Sequence, residues 1–251
     1  MTSTSKCLHL LVMILAFISS VTSITIVKIA VILPKDDRYL FSLKKCVPAI
    51  ENGIQKAYSL GILNRDETKF HIQHVDSGCN GVQAPLAAFD FVTNKTVDIF
   101  FGPCCDYSLA PVVRYSKYWN VPVITPGGFA RNFAEKTVGE AQYTMLTRVG
   151  NNFESLTDGA IKMLQTNSWS NIMMIYDKDG QNSVTLDFCH LAVSALIDGM
   201  DKAGINNEFF RIEHDKLNST DESKFSSSRM LRERVGIDFA GKSCEIDLLG
   251  Y

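Results

Sequence analysis

The fold of this chain is decided by the stretch Val97-Asp98-Ile99-Phe100-Phe101-Gly102-Pro103-Cys104-Cys105-Asp106-Tyr107, where an apolar strand ends in a turn with two cysteines. An earlier strand, Phe70 to Val75, is followed in a similar way by Cys79. Two thiols at the ends of neighbouring strands form a bridge only in an oxidising compartment. The pair Cys79 and Cys105 therefore indicates an exported protein as well as a particular strand arrangement.

On both sides of this stretch, strand-like and helix-like apolar patterns alternate. The predicted strands are 24–33, 70–75, 97–101 and 121–125, and the helices between them are 39–60, 84–92 and 109–119. Repeated β-α-β units predict a parallel sheet covered by helices on both faces. After a short crossing segment at 143–149 the rhythm restarts with helix 153–164, strand 171–176, helix 185–203 and strand 208–212.

The beginning of the chain reads as a secretory signal. Lys6 precedes a nearly continuous apolar run from Leu8 to Ile18, small residues follow, and cleavage is expected after Ser23. The run is too short to span a hydrocarbon core of about 30 Å comfortably. We therefore expect a secreted or extracellular protein, attached to a membrane only through a longer form of the chain.

These patterns predict four segments. Residues 1–23 are the signal peptide, 24–148 a first α/β lobe, 149–212 a partial second lobe, and 213–251 a divergent polar tail that we expect to be poorly ordered. The tail is rich in Ser, Asp, Glu, Lys and Arg, and no convincing strand follows Ile212. The expected fold class is α/β, with one parallel-sheet lobe covered by helices and an incomplete second lobe.

Composition excludes some partners. The formal net charge is −2 and the basic residues are dispersed, so nucleic acid is not an expected partner. A hydrophobic content of 46% supports a real core. The triplets at Asn94 and Asn218 are predicted glycosylation acceptors, given an export signal.

The cysteines leave several pairings open. A Cys79–Cys105 bridge would close a loop of about 26 residues and contribute roughly 3 kcal/mol by the chain-entropy model. Cys104 competes for the same partner, and vicinal cysteines rarely bridge each other. Ser42 and Cys46 share a face of the first helix, so a Cys46–Cys104 bridge is a testable hypothesis. The leftover pair is Cys189 with Cys244.

Signatures of catalysis are missing from the sequence. It contains no Gly-x-Ser-x-Gly elbow, phosphate loop or His-Glu-x-x-His motif. His71 and His74 lie three apart in a predicted strand and so point to opposite faces, which prevents a shared metal. Asp177-Lys178-Asp179-Gly180 lacks the later ligands of a calcium loop. We therefore expect neither an enzyme nor a metal site.

Several ordered motifs resemble the ectodomains of natriuretic-peptide receptors and receptor guanylyl cyclases. The resemblance covers about 24–212 and rests on the following residues: Leu33-Pro34, Tyr39 to Leu43, Pro48 to Glu51, Cys79, Ala84 to Ala88, Gly102-Pro103-x-Cys105-x-Tyr107, Ala110 to Val112, Trp119-x-Val121-Pro122, Leu146 to Val149, Trp169-Ser170 and Cys189. It implies a type I periplasmic-binding-protein fold. It also implies a homodimer that holds a peptide hormone between two protomers.

The resemblance assigns roles to individual residues. Cys79–Cys105 corresponds to the family's first disulfide, and Tyr107 matches an aromatic residue that contacts the hormone. A buried chloride ion would be held by the hydroxyl of Ser42 and the amides of Cys104 and Cys105; no organic cofactor is implied. The chain departs from the family at Cys104, where a smaller residue is usual.

Two further departures lie in the second lobe, where His190 and Ser194 replace an aromatic and an acidic residue. We interpret the chain as the extracellular ligand-binding region of a natriuretic-peptide/guanylyl-cyclase-type receptor, shortened and lacking the cyclase. One alternative is a secreted module that captures a small molecule between two lobes. Another is a non-functional truncated product.

Overall fold

The computed structural model describes residues 24–134, 141–177, 180–212 and 247–250. The predicted signal peptide and the acceptor Asn218 lie outside these ranges. The described chain forms two sheets. A five-stranded sheet has the order β2-β1-β3-β4-β5, and a three-stranded sheet has the order β7-β6-β8.

The first sheet is parallel throughout, as the β-α-β pattern predicts. Its strands are β1 (Thr25–Leu33), β2 (Thr68–Asp76), β3 (Ile99–Phe101), β4 (Val123–Thr125) and β5 (Leu146–Arg148). The connecting helices are α1 (Leu43–Ser59), α2 (Gln83–Thr93) and α3 (Asp106–Trp119). The predicted crossing segment at 143–149 thus supplies the fifth strand.

The two faces of this sheet are covered differently. On one face, alternate strand residues such as Ile32 and Phe100 form a fully buried cluster with Leu109 and Val112 of α3. On the other face, α1 covers Ile29 and Val31, and α1 itself contains no fully buried residue. The α2–α3 face therefore contains the denser core of the first lobe.

The second sheet begins the second lobe. Helix α4 (Phe153–Thr166) leads to β6 (Asn171–Asp177), and α5 (Phe188–Ala203) leads to β7 (Asn206–Ile212), which pairs in parallel with β6. The apolar sides of both helices pack with Ile172 and Met174 of β6. This is one complete β-α-β unit, as the sequence indicates.

The expectation that no strand follows Ile212 is wrong for one short segment. Strand β8 (Asp247–Gly250) pairs with β6 in the antiparallel direction. Four residues are too few to show an alternating pattern, and an antiparallel edge strand does not follow the β-α-β rhythm. The rest of the predicted tail, 213–246 and 251, lies outside the described residues.

Candidate ligand-binding site

The carboxyl ends of β3 and β4 form two interlocked turns. The hydroxyl of Thr125 donates a hydrogen bond to the carbonyl oxygen of Pro103 at 2.6 Å, and the amide of Gly127 donates to the Thr125 hydroxyl at 3.0 Å. A Cβ atom at Gly127 would overlap the backbone of Cys104, so only glycine fits here. The cysteine turn is therefore fixed against the neighbouring loop.

The structure contains the predicted Cys79–Cys105 disulfide, with 5.5 Å between the two Cα atoms. Both cysteines are buried, and Cys79 has a positive φ of 50°. Its amide donates to the hydroxyl of Ser77 at 3.2 Å. The bridge ties the ends of β2 and β3 together, although β1 lies between these strands in the sheet.

The predicted Cys46–Cys104 bridge is not formed, because both residues are free thiols in the structure. The Cys104 sulfur points instead to the carbonyl oxygen of Phe41 at 3.9 Å and lies 3.8 Å from the Cys105 sulfur. Burial raises the pKa of the Cys104 thiol to about 12. A thiol that stays protonated is a poor nucleophile, so the adjacent disulfide is protected from exchange.

The other predicted cysteine pair is only partly described. Cys189 lies buried in α5 and is disulfide-bonded. Its predicted partner, Cys244, lies outside the described residues.

The three predicted chloride ligands lie at this turn and at the start of α1. Ser42 is buried at the N-cap of α1, and its hydroxyl donates to a carboxylate oxygen of Asp37 at 3.2 Å. The amides of Cys104 and Cys105 face the Cys104 sulfur, and no oxygen acceptor for them is found in the described ranges. Amide donors of this kind can bind an anion, but the Ser42 hydroxyl would have to turn from Asp37, and the chloride site stays a prediction.

Tyr107 lies in the first turn of α3, directly after the disulfide-bonded turn. Its side chain is 52% exposed, unlike the buried residues on either side. Burial of part of the ring raises the pKa of Tyr107, and the carboxylate of Asp187, which precedes α5, raises it further. The ring is therefore accessible to solvent, and its hydroxyl is within electrostatic reach of the Asp187 carboxylate in the second lobe.

The two lobes meet through aromatic rings that sequence reasoning missed. Phe129 follows β4 and packs with three other rings at centroid distances of 5.5 to 6.4 Å, namely Phe41, Phe153 and Phe188. These rings come from segments that follow β1, β5 and β6. Ligands of open α/β sheets bind beyond the carboxyl ends of the strands, and in this chain phenylalanine side chains occupy that position.

A buried carboxylate beside this cluster was also missed. Asp106 is 5% exposed, and its Oδ1 accepts a hydrogen bond from the amide of Ala130 at 2.9 Å. Burial raises the pKa of Asp106 to about 6, and the backbone amides and the charge of Arg148 oppose that shift. An acidic residue in the first turn of a helix is ordinary, so the sequence carries no signal of its burial.

His190 and Ser194, which depart from the family pattern, both make hydrogen-bond contacts within the second lobe. The ring nitrogen Nδ1 of His190 lies 3.1 Å from the hydroxyl of Tyr176. The hydroxyl of Ser194 donates to the carbonyl oxygen of His190 at 2.8 Å.

The described residues contain neither a cluster of metal ligands nor a membrane-spanning helix. No group of three or more His, Cys, Asp or Glu side chains is placed to hold a metal ion in the ranges that the structure describes. No helix of the described chain combines the length and the apolar character needed to cross a membrane. The predicted glycosylation acceptor Asn94 is exposed at the end of α2, and its modification stays a prediction.

Two α/β lobes that meet beyond the carboxyl ends of their parallel strands form a fold like that of periplasmic binding proteins. An ABC transporter substrate-binding protein from Desulfitobacterium hafniense shares this fold, with a TM-score of 0.57 and 14% identity over 80% of this chain and 54% of that chain. A leucine binding protein from Thermotoga maritima has a TM-score of 0.51 and 15% identity over 80% of this chain and 53% of its own. The predicted fold class is confirmed.

The chain belongs to the family described as "Receptor family ligand binding region", whose model matches residues 46–233. Human atrial natriuretic peptide receptor 3 is 26% identical over 196 residues, which are 76% of this chain and 35% of the relative. The Mus musculus receptor 3 is 31% identical over 159 residues, 61% of this chain and 29% of that protein. Atrial natriuretic peptide receptor 2 of Rattus norvegicus is 27% identical over 143 residues, 57% of this chain and 13% of that receptor.

These relatives confirm the resemblance to natriuretic-peptide receptors. The chain spans about a third or less of the length of the curated relatives described above. The part that matches is the ligand-binding region.

Proposed function

We propose that this chain is a non-enzymatic, extracellular ligand-binding region that takes a peptide hormone of the natriuretic type on the edge that bears Tyr107. The observation that carries this proposal is the aromatic cluster between the lobes. Because Phe129 and its neighbouring rings fill the position beyond the strand ends, a ligand has to bind on the outer edge instead. An exposed tyrosine on a disulfide-tied turn is suited to anchor a peptide.

The same observation argues against the alternative of a small-molecule module. A solved relative from Desulfitobacterium hafniense is a complex with Leu. A ligand of that kind would need open space between the lobes of this chain. The rings of Phe129, Phe153 and Phe188 lie 5.0 to 5.6 Å from one another at their centroids, a normal packing distance.

Binding measurements on the secreted protein test the proposal. Atrial natriuretic peptide and leucine serve as probes, each titrated by calorimetry against wild type, Tyr107→Ala and Phe209→Ala. Phe209 is an exposed aromatic residue on β7 and is the matched control. We expect the peptide to bind wild type and the Phe209 variant, and to bind Tyr107→Ala at least tenfold more weakly. Leucine binding without peptide binding would overturn the proposal.

We propose further that the binding unit is a homodimer formed through α2 and α3. The rings of Phe89, Tyr115 and Trp119 pack on the outside of these helices at centroid distances of 4.8 to 5.7 Å. Leu86 is 59% exposed and Tyr118 is 80% exposed on the same two helices. Grouped exposed apolar and aromatic side chains favour a protein interface.

The dimer proposal is tested by the mass of the protein in solution. Leu86→Glu places a charge within the exposed group and should convert a dimer to a monomer in light scattering or sedimentation. Leu60→Glu is the matched control, since Leu60 is 62% exposed at the end of α1. A monomeric wild type, or a Leu86→Glu variant that dimerises like wild type, would contradict this arrangement.

We also propose that a chloride ion binds at the cysteine turn. The amides of Cys104 and Cys105, with the hydroxyl of Ser42, would hold the ion, which would supply a negative charge that fixes the turn before Tyr107. The Cys104 sulfur faces the same amides and would lie against the ion. Sulfate itself strengthens apolar burial, so the informative comparison is between variants. Replacing sulfate by chloride should change the thermal midpoint of wild type more favourably than that of Ser42→Ala. An equal change in the two proteins would argue against the site.

A further inference from the structure

Asp106 is a buried charge at the junction of the two lobes. Its Oδ1 accepts a hydrogen bond from the amide of Ala130. Its Oδ2 is buried and has no hydrogen-bond partner in the described part of the chain. A buried carboxylate with an unused oxygen costs free energy. Such a cost at a lobe junction suggests a role beyond packing.

The carboxylate connects the ligand edge to the junction. Asp106 lies between Cys105 of the disulfide and the exposed Tyr107. The Ala130 amide that it binds directly follows Phe129, the ring at the centre of the interlobe cluster. Asp106 therefore joins the first turn of α3 to the segment through which the first lobe contacts the second.

Few charges face this carboxylate. Arg148 on β5 attracts Asp106, but its guanidinium donates to the carbonyl oxygen of Gly128 at 3.1 Å and pairs with Glu154 of α4 at 3.7 Å. The thiol of Cys104 and the hydroxyl of Tyr107 are the titratable neighbours, and both pKa values are raised, so both groups are neutral near pH 7. The Asp106 carboxyl is thus the group here that changes charge between neutral and mildly acidic pH.

The direction of the effect follows from linkage. In the packed junction, burial raises the pKa of Asp106 from 3.8 to about 6. When the junction opens, water reaches the carboxyl and its pKa returns toward the ordinary value. The packed state therefore binds the proton more tightly and is favoured at low pH, and this advantage is lost as pH rises through about 6.

We propose that Asp106 is a pH-responsive latch between the two lobes: the protonated side chain holds the segment 128–130 against α3, and the ionised side chain loosens it. The latch regulates the geometry of the edge that bears Tyr107, and it operates whichever ligand binds there. Acidification favours the packed state of the junction, and neutral pH raises the population of the open state.

Hydrogen exchange at the Phe129 and Ala130 amides tests the latch. After correction for the intrinsic rate, opening of wild type should increase about tenfold from pH 5.0 to pH 7.5. Asp106→Asn has a similar shape and cannot ionise, so its opening should stay constant. Asp90→Asn, which removes an exposed carboxyl on α2, should behave as wild type.

Two results would overturn the latch. One is an equal pH dependence in wild type and Asp106→Asn. The other comes from wild type alone, so it applies even if Asp106→Asn does not fold: a carbon-13 titration should place the Asp106 carboxyl near 6, and a value near 4 rejects the proposal.

Discussion

The junction between the lobes and the outer edge of the first lobe both present aromatic side chains. They differ in how far those side chains are exposed to solvent. At the junction, the ring of Phe129 is buried among rings from both lobes. At the edge, the ring of Tyr107 comes from an equally well fixed turn yet is half exposed. The contrast indicates that the space between the lobes is filled by packed rings, whereas the edge leaves an aromatic ring exposed to solvent.

The largest effect should come from the junction. Phe129→Ala removes the central ring of the interlobe cluster, so we expect a loss of about 3–5 kcal/mol in the free energy of unfolding. Chemical denaturation measures it. Phe209→Ala, at an exposed position on β7, should change stability by less than about 0.5 kcal/mol. Equal effects at the two positions would show that the junction is not a packed core.

Removal of the disulfide should cause the second largest loss in the free energy of unfolding. Replacing Cys79 and Cys105 by serine opens a closed loop of about 26 residues and should cost roughly 3 kcal/mol. The same change at Cys46, a free and partly buried thiol, should cost about 1 kcal/mol or less. A stability loss in the Cys46 variant as large as that in the double variant would indicate that Cys46 is also bridged.

The smallest effect on folding should come from the edge. Tyr107→Ala removes a half-exposed ring and should change the free energy of unfolding by less than about 0.5 kcal/mol. The same substitution is expected to lower peptide affinity strongly. A thermal midpoint that falls as far in Tyr107→Ala as in Phe129→Ala would place Tyr107 in the core and remove the contrast between the two regions.

The sequence alone predicts those features that depend on one strand and the turn after it. The strand endings at Cys79 and Cys105 predict the disulfide without any knowledge of packing. The role of Tyr107 comes from the family resemblance and stays a prediction. The sequence pattern predicts the start of α1 at residue 39, which is too early. Ser42 is the N-cap of the helix, and the apolar pattern of the preceding loop runs into it without a break.

The features that were missed depend on tertiary contacts. Phe41, Phe129, Phe153 and Phe188 lie far apart in the chain, and no period links them. The raised pKa of Asp106 follows from burial by a loop that is distant in sequence. The Cys46–Cys104 hypothesis failed for the same reason, because a shared helix face does not show which way the Cys104 sulfur turns.

A hydrogen-exchange footprint of bound atrial natriuretic peptide would show which segments of the chain the ligand covers. If the ligand binds at the outer edge, the peptide should protect backbone amides around Tyr107 at the start of α3. Amides around Phe153, which follows β5, should keep the exchange of the free protein. Protection confined to that junction segment, with no change around Tyr107, would contradict binding at the edge.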